Sequence, residues 1–277
     1  MNTPRSFHLH MISDATGETL VAIAKAVRVQ YPQVRAIEHI HPLVRHRREL
    51  ERVLKDVEAT PGIVLYTIVN PEFAEELEQS CKRLKLPCVP ALQTILAVFE
   101  SYLGMPSTPK VAGQHVLDAE YFQRIEALNF TMMHDDGHLP ENLDDADILL
   151  VGISRTSKTP TSIYLANRGF KTANVPLIPG VPLPPKLDKP TKAFVVGLVA
   201  SAERIAQVRQ NRVLEHAASH LDRYVDREAI AAEIAETRQL CAQRGWPVID
   251  VTRRSIEETA AAILRLYQDG EAPVLDP

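Results

Sequence analysis

The chain has 277 residues, 45% of them hydrophobic, enough to bury a core in one large or two modest domains. Its 31 basic and 35 acidic residues leave a net charge of −4, without the bulk basic field that nucleic acid or an anionic membrane selects, so neither is expected as a partner. Three cysteines without a C-x-x-C pair (Cys81, Cys88 and Cys241), no apolar run near ~20 residues and no signal-type segment after Met1 lead us to expect idle or buried thiols and a cytoplasmic location.

The chain then reads as strand and helix in alternation. FHLHMIS, residues 7–13, alternates as a strand, turns at Asp14-Ala15-Thr16-Gly17 and enters an apolar-periodic helix over 18–30. Ser13, Asp14, Thr16, Gly17 and Thr19 thus stand where open α/β sheets put their ligands, outside the carboxyl end of a strand. They are a candidate second phosphate or target contact, against the plainer reading of a turn in which Asp14 or Thr16 caps the helix. His8/His10 and His39/His41 each put two imidazoles on one strand face, a metal-compatible spacing with no third ligand cluster, which we read as structural. Next come a strand at 36–41, a helix over 44–58, a strand at 62–69, a helix over 72–85, a short strand at 86–90 and a helix at 91–103. Such alternation implies parallel strands joined by right-handed crossovers. We expect an α/β fold of two alternating halves with mainly parallel sheets: an N-terminal domain over 1–103, a Gly/Pro/Ser connector over 104–118, and a nucleotide-binding catalytic domain over 119–277.

The second half opens with a helix at 119–131 and the polar turn His134-Asp135-Asp136-Gly137-His138. Asp135 or Asp136 would serve as base or as metal-side carboxylate, since phosphoryl transfer rests on positioning and charge neutralisation; an ordinary Asp-Gly turn is the bland alternative. The run Ile148-Leu149-Leu150-Val151 then reads as a strand buried on both faces. It feeds Gly152-Ile153-Ser154-Arg155-Thr156-Ser157-Lys158-Thr159, which has the spacing of a phosphate-binding loop, G-x-x-x-x-G-K-[ST], with Ser157 in the place of the second glycine. The chemistry wants this arrangement because a strand-to-helix turn leaves backbone N–H groups unpaired at the positive end of the helix dipole. Lys158 would cover the transferable phosphate, Thr159 would offer its hydroxyl to Mg²⁺, and Arg155 would hold further phosphoryl oxygens. The helix should stop at Gly169.

Beyond it lie TANVPLI, the proline-rich 181–185, a strand at 193–199, helices at 202–217 and 227–244, a strand at 247–251, and a last helix from 256 with Ser255 and Glu258 as a capping box. Arg253 and Arg254 follow the last strand and precede that helix, within reach of a nucleotide or phosphothreonine, or else as a surface dipeptide. Arg204, Arg209 and Arg212 read as a solvated helix face rather than a phosphate lid, and Arg45-His46-Arg47-Arg48 likewise as solvated.

The run GISRTSKTPTSIYLANRGFKTANVPLIPGVPLPP resembles the signature of the pyruvate, phosphate dikinase regulatory proteins, a group that includes the phosphoenolpyruvate synthase regulatory proteins. FHLHMISDATGETL, AEYFQRIEALNFTMMHDDG and WPVIDVTRRSIEETAAAI extend the likeness over most of the chain, and SRTSKTP with VPLIPGVPLPP is closer to the dikinase branch. The resemblance implies a bifunctional serine/threonine kinase and phosphorylase. It would phosphorylate a threonine of its target enzyme with ADP as donor and remove that phosphate with inorganic phosphate, releasing pyrophosphate. It places ADP on Gly152–Thr159, makes pyruvate, phosphate dikinase the protein substrate, and makes Ser157 a habit of the family. The resemblance leaves the same chemistry on phosphoenolpyruvate synthase as an alternative, and the residues leave a small-molecule phosphate-loop kinase or NTPase and a non-catalytic nucleotide sensor. A homodimer is a candidate assembly.

Overall fold

The computed structural model describes residues 5–108, 110–111, 113, 119–135, 143–184, 187, 192–216 and 225–271. The chain divides into two compact units, Met1–Val116 and Leu117–Pro277. Each is an α/β unit around a four-stranded, wholly parallel sheet, as the alternation of elements implied.

In the first unit the strands are β1 (Arg5–Ser13), β2 (Val34–His41), β3 (Gly62–Thr67) and β4 (Cys88–Pro90), with helices α1 (Glu18–Arg28), α2 (Arg47–Ala59), α3 (Pro71–Arg83) and α4 (Gln93–Leu103). The sheet order is β2-β1-β3-β4. Alternation along β1 sends Leu9 and Met11 to one face, against Leu20 and Ala24 of α1. Ile12, with Val64 and Tyr66 of β3, faces Leu50, Val53 and Val57 of α2 and Leu77 of α3. With helices on both faces, this is a small doubly wound unit whose order reverses between β1 and β3.

The second unit repeats the plan. Helix α5 (Ala119–Met133) precedes β5 (Ile148–Gly152), α6 (Lys158–Ala166), β6 (Thr172–Pro176), β7 (Phe194–Val199), α7 (Ala202–His216), α8 (Arg227–Arg244), β8 (Val248–Asp250) and α9 (Ile256–Glu271). The sheet order is β6-β5-β7-β8, so β5 and β7 flank the reversal as β1 and β3 do in the first unit. Every residue of β5 is buried, as its unbroken apolar run requires. Ile148 and Leu150 pack with Leu165 of α6 and with Ala260 and Ile263 of α9. Leu149 and Val151 pack on the opposite face with Ala173, Val175 and Cys241. Among the described residues no helix is long and apolar enough to cross a membrane.

Several expectations are revised. The strand drawn over 62–69 ends at Thr67, because the N–H of Val69 leaves the ladder to bind the Asp14 carboxylate at 2.6 Å. Asp14 therefore joins two strand ends and caps no helix; Gly17 at φ 83 occupies the N-cap of α1, with no side-chain cap bond. The solvated reading of Arg209 also fails: it is 2% exposed and forms a bidentate pair with Glu233 at 2.6 and 3.2 Å, tying α7 to α8. The side chain of Arg212 lies outside the described residues. Ser255 and Glu258 do form the reciprocal cap, at 3.1 and 2.8 Å.

Candidate active site

The carboxyl end of β5 delivers the loop 152–159 to the point where the second sheet reverses its order, the usual ligand position of a doubly wound sheet. Gly152 is required there by contact: a Cβ on it would stand 2.4 Å from the Leu198 carbonyl oxygen of β7. Its φ of 154 is a further bar to a side chain. Arg155 (φ 70) and Ser157 (φ 60, ψ 25) both take left-handed backbone. Ser157, in the second-glycine position, does so as an exposed residue. Thr156 is buried and its hydroxyl donates to the Ile153 carbonyl at 2.9 Å.

Lys158, 5% exposed, opens α6 and donates its Nζ to the same Ile153 carbonyl at 2.8 Å, so the ammonium lies folded into the loop. Thr159 follows, and its hydroxyl donates to Asp135 Oδ1 at 2.9 Å. The turn after α5 is thereby joined to the start of α6, across 24 residues of sequence. Asp136, Gly137 and His138 lie outside the described residues.

One participant was missed in the sequence. Asn174, on β6 and 1% exposed, donates its amide to Asp135 Oδ1 at 2.6 Å and to Thr159 Oγ1 at 3.1 Å. Its backbone N–H also holds the His134 carbonyl at 3.0 Å. The available signal was a polar amide inside a strand otherwise buried, an expensive placement unless it has partners.

Buried polar atoms without a hydrogen-bond partner gather in and beside this loop: Arg155 Nε, Thr161 Oγ1 in the first turn of α6, His134 Nε2 and Asn174 Oδ1. Such orphans are costly, about 1–3 kcal/mol each. Beside Ile153 a cavity of about 260 Å³ opens between residues 176–184 and α8, where it meets Glu236, Thr237 and Leu240. Arg253 and Arg254 are exposed at the end of β8, on the carboxyl edge that also carries the loop. That edge is braced where Thr252 Oγ1 accepts the N–H of Ser201 at 2.9 Å, linking the ends of β8 and β7.

The other candidate set is built into the first unit. Ser13 and Asp14 are buried, Gly17 is buried, and Thr16 is exposed. Ser13 Oγ accepts from Ala15 N at 3.1 Å and from the Thr67 hydroxyl at 2.9 Å. A cavity of about 460 Å³ opens there, lined by Ser13, Asp14, Gly17, Thr19, Thr67 and Lys110. The histidine spacing resolves into a packed ladder: His8 Nδ1 meets His39 Nε2 at 2.8 Å, and His10 Nδ1 meets His41 Nε2 at 3.2 Å. No group of three or more His, Cys, Asp or Glu among the described residues has metal-binding geometry.

A doubly wound sheet with a strand–loop–helix turn at the reversal of its strand order, and a carboxylate bonded to the threonine after the lysine, has its candidate site where such sheets hold their ligands. Residues 9–264 match the kinase/pyrophosphorylase family, and the chain belongs to it. Its relatives carry the name "Putative pyruvate, phosphate dikinase regulatory protein". One from Chelativorans sp. (strain BNC1) is 62% identical over 267 residues, 96% of this chain and 98% of the relative. Another from Rhizobium meliloti (strain 1021) is 58% identical, covering 96% and 97%, and one from Brucella ovis is 56% identical, covering 98% of each chain. The resemblance read from the loop and its flanking motifs is borne out.

Proposed function

We propose that the chain is an ADP-dependent serine/threonine kinase and a phosphate-dependent phosphorylase acting on pyruvate, phosphate dikinase. The observation that carries this reading is the loop itself, with Lys158 folded in and Thr159 bonded to Asp135, in a chain matching the kinase/pyrophosphorylase family over 9–264. In the forward direction the target threonine Oγ attacks the β-phosphorus of ADP. The bond from that phosphorus to the bridging oxygen breaks, AMP leaves, and the hydroxyl proton passes to a carboxylate. Asp135 Oδ1 is already engaged by Thr159 and Asn174, so we assign Asp135 to the metal side and Asp136, the next residue, to the base. In reverse, an oxygen of inorganic phosphate attacks the phosphothreonine phosphorus, the P–Oγ bond breaks, pyrophosphate forms and the threonine recovers its proton.

Lys158 exchanges the Ile153 carbonyl for the β-phosphoryl oxygens, and the loop N–H groups at the start of α6 take the remainder. Arg155, with an orphaned buried Nε, supplies a guanidinium for the second phosphate that both half-reactions must hold. The cavity beside Ile153 receives the nucleoside end. Mg²⁺ fits the corner: Thr159 Oγ1 and the Asp135 carboxylate are hard oxygen donors, and Mg²⁺ takes few protein ligands beside phosphate and water. When bound it neutralises phosphoryl charge. Arg253 and Arg254, and Ser13, Asp14, Thr16, Gly17 and Thr19 of the first unit, are assigned to a second phosphate or to the target.

ADP labelled in its β-phosphate, incubated with and without the dikinase, tests the reading. Label should appear on a dikinase threonine and be absent with Lys158→Ala, whose circular dichroism should match wild type; phosphate should then convert the label to pyrophosphate. Turnover of ATP without a protein target would replace this reading with a small-molecule kinase or NTPase, and ADP binding without transfer would replace it with a sensor. Full transfer in Lys158→Ala would remove the loop from the chemistry.

A further inference from the structure

Asn174 is the least expected polar group in the second unit. It stands opposite Leu150 in the register of β5 and β6, in a strand whose first four residues are all buried. Ala173 and Val175 turn to the apolar core, while Asn174 faces Thr159 at the start of α6 and the Asp135 turn after α5. Burying an amide there costs free energy that only hydrogen bonds repay. Both amide hydrogens are committed, one to Asp135 Oδ1 at 2.6 Å and one to Thr159 Oγ1 at 3.1 Å. The opposite amide orientation would press a carbonyl oxygen against a carboxylate oxygen at 2.6 Å, so chemistry fixes which end points where. The network has one proton arrangement: Thr159 donates to Asp135 and accepts from Asn174. With the backbone bond to His134, Asn174 grips the turn twice. What remains is its Oδ1, buried and without a partner, an acceptor beside the two groups assigned to the metal.

We propose that Asn174 is a positioning residue for this site: it holds Asp135 and Thr159 as one unit and offers its carbonyl oxygen to a proton-bearing ligand, a metal-bound water or a hydroxyl, that completes the corner. The inference rests on the ADP–Mg²⁺ reading above. A side chain that only filled space would leave the coupling between cation and nucleotide unchanged; one that sets the geometry of two metal-side oxygens controls that coupling.

ADP affinity, measured by isothermal titration calorimetry with and without MgCl₂, decides the matter, with thermal unfolding in parallel. Asn174→Leu, with the same branched heavy-atom skeleton but unable to hydrogen-bond, should bind ADP within threefold of wild type in EDTA but lose at least tenfold of the Mg²⁺-induced gain. Asn174→Asp places a second carboxylate against Asp135 and should show the opposite sign in melting: a lower Tm in EDTA and a larger Mg²⁺-induced rise than wild type. If both variants are less stable and respond to Mg²⁺ as wild type does, Asn174 is a packing residue and the inference is wrong. A wild-type protein whose ADP affinity ignores Mg²⁺ would overturn the metal reading and this inference together. A wild-type response retained in Asn174→Leu overturns the inference alone. Should the leucine variant fail to fold, the melting response of Asn174→Asp still decides.

Discussion

Gly152→Ala and Ser157→Gly act on two positions of one loop and should give very different results. At Gly152 an alanine Cβ would lie 2.4 Å from the backbone oxygen of Leu198 and 3.3 Å from Thr156 Oγ1, at a φ of 154. The first contact is with the backbone of the neighbouring strand β7 and cannot be relieved by rotating a side chain. Overpacking costs about 1–3 kcal/mol and a sparsely populated backbone region about 1–3 more, so a loss of about 4 kcal/mol is expected. For a domain of this size that is a Tm lower by roughly 8–16 °C. At Ser157, φ 60 with an exposed side chain, glycine relieves about 1 kcal/mol of left-handed strain and returns a similar amount as unfolded-state entropy. Scanning calorimetry should find Ser157→Gly within about 3 °C of wild type, with ADP affinity within threefold. A Gly152→Ala protein melting within 2 °C of wild type would refute the close approach of β5 and β7. A large loss in Ser157→Gly would show that the serine hydroxyl does more than the exposed geometry allows.

Two further perturbations follow from buried charge. Burial is the largest influence on His10 and His41 and lowers both, His41 to about 4, so the folded state keeps them neutral while the unfolded chain titrates near 6.5. Stability from this ladder is therefore full above about pH 6.5 and is lost as pH falls towards 4. Asp56 opposes the shift, while His39 lowers both groups, His8 acts on His10 and Arg52 on His41. Unfolding free energies from urea titrations at pH 7.5 and 5.0 should differ by about 1–2 kcal/mol more in wild type than in His41→Gln; an equal difference would exclude the ladder as the source. Arg209→Ala should cost about 3–5 kcal/mol, because it strands Glu233 in a largely buried position, and Arg209→Ala with Glu233→Leu should recover part of it. Additive losses in the double variant, measured by denaturant unfolding, would show that the two side chains are not coupled.

Local features made much of this molecule legible. The apolar run of β5 and the Ser255/Glu258 cap are written within a few residues, and each forms as spelled. The reading weakened where a residue's role is set by strand pairing. Asn174 and Asp135 are 39 positions apart and meet only because β6 is the edge strand beside β5, with the end of α5 hydrogen-bonded along its outer edge through Thr131 and His134. Arg209 is a long cation on a helix, which by spacing alone belongs to water; α8, 24 residues later, covers it with Glu233. Asp14 read either as a phosphate contact or, more plainly, as a helix cap, but the end of β3 gives it the Val69 N–H instead of a helix N–H. Charge and polarity were visible in each case, and the partner was not.

The bond from Lys158 to the Ile153 carbonyl bears on the thermodynamics of ligand capture. With its lysine tethered to its own backbone, the loop is a spring already wound: its left-handed residues and its buried threonine are in place before any phosphate arrives. Capture then becomes a swap of one acceptor for another, and little chain entropy remains to be surrendered. Such a swap releases less net free energy than an unsatisfied ammonium would. On the function proposed above, a nucleotide would be held lightly enough to leave, which suits a loop proposed to admit ADP in one direction and inorganic phosphate in the other.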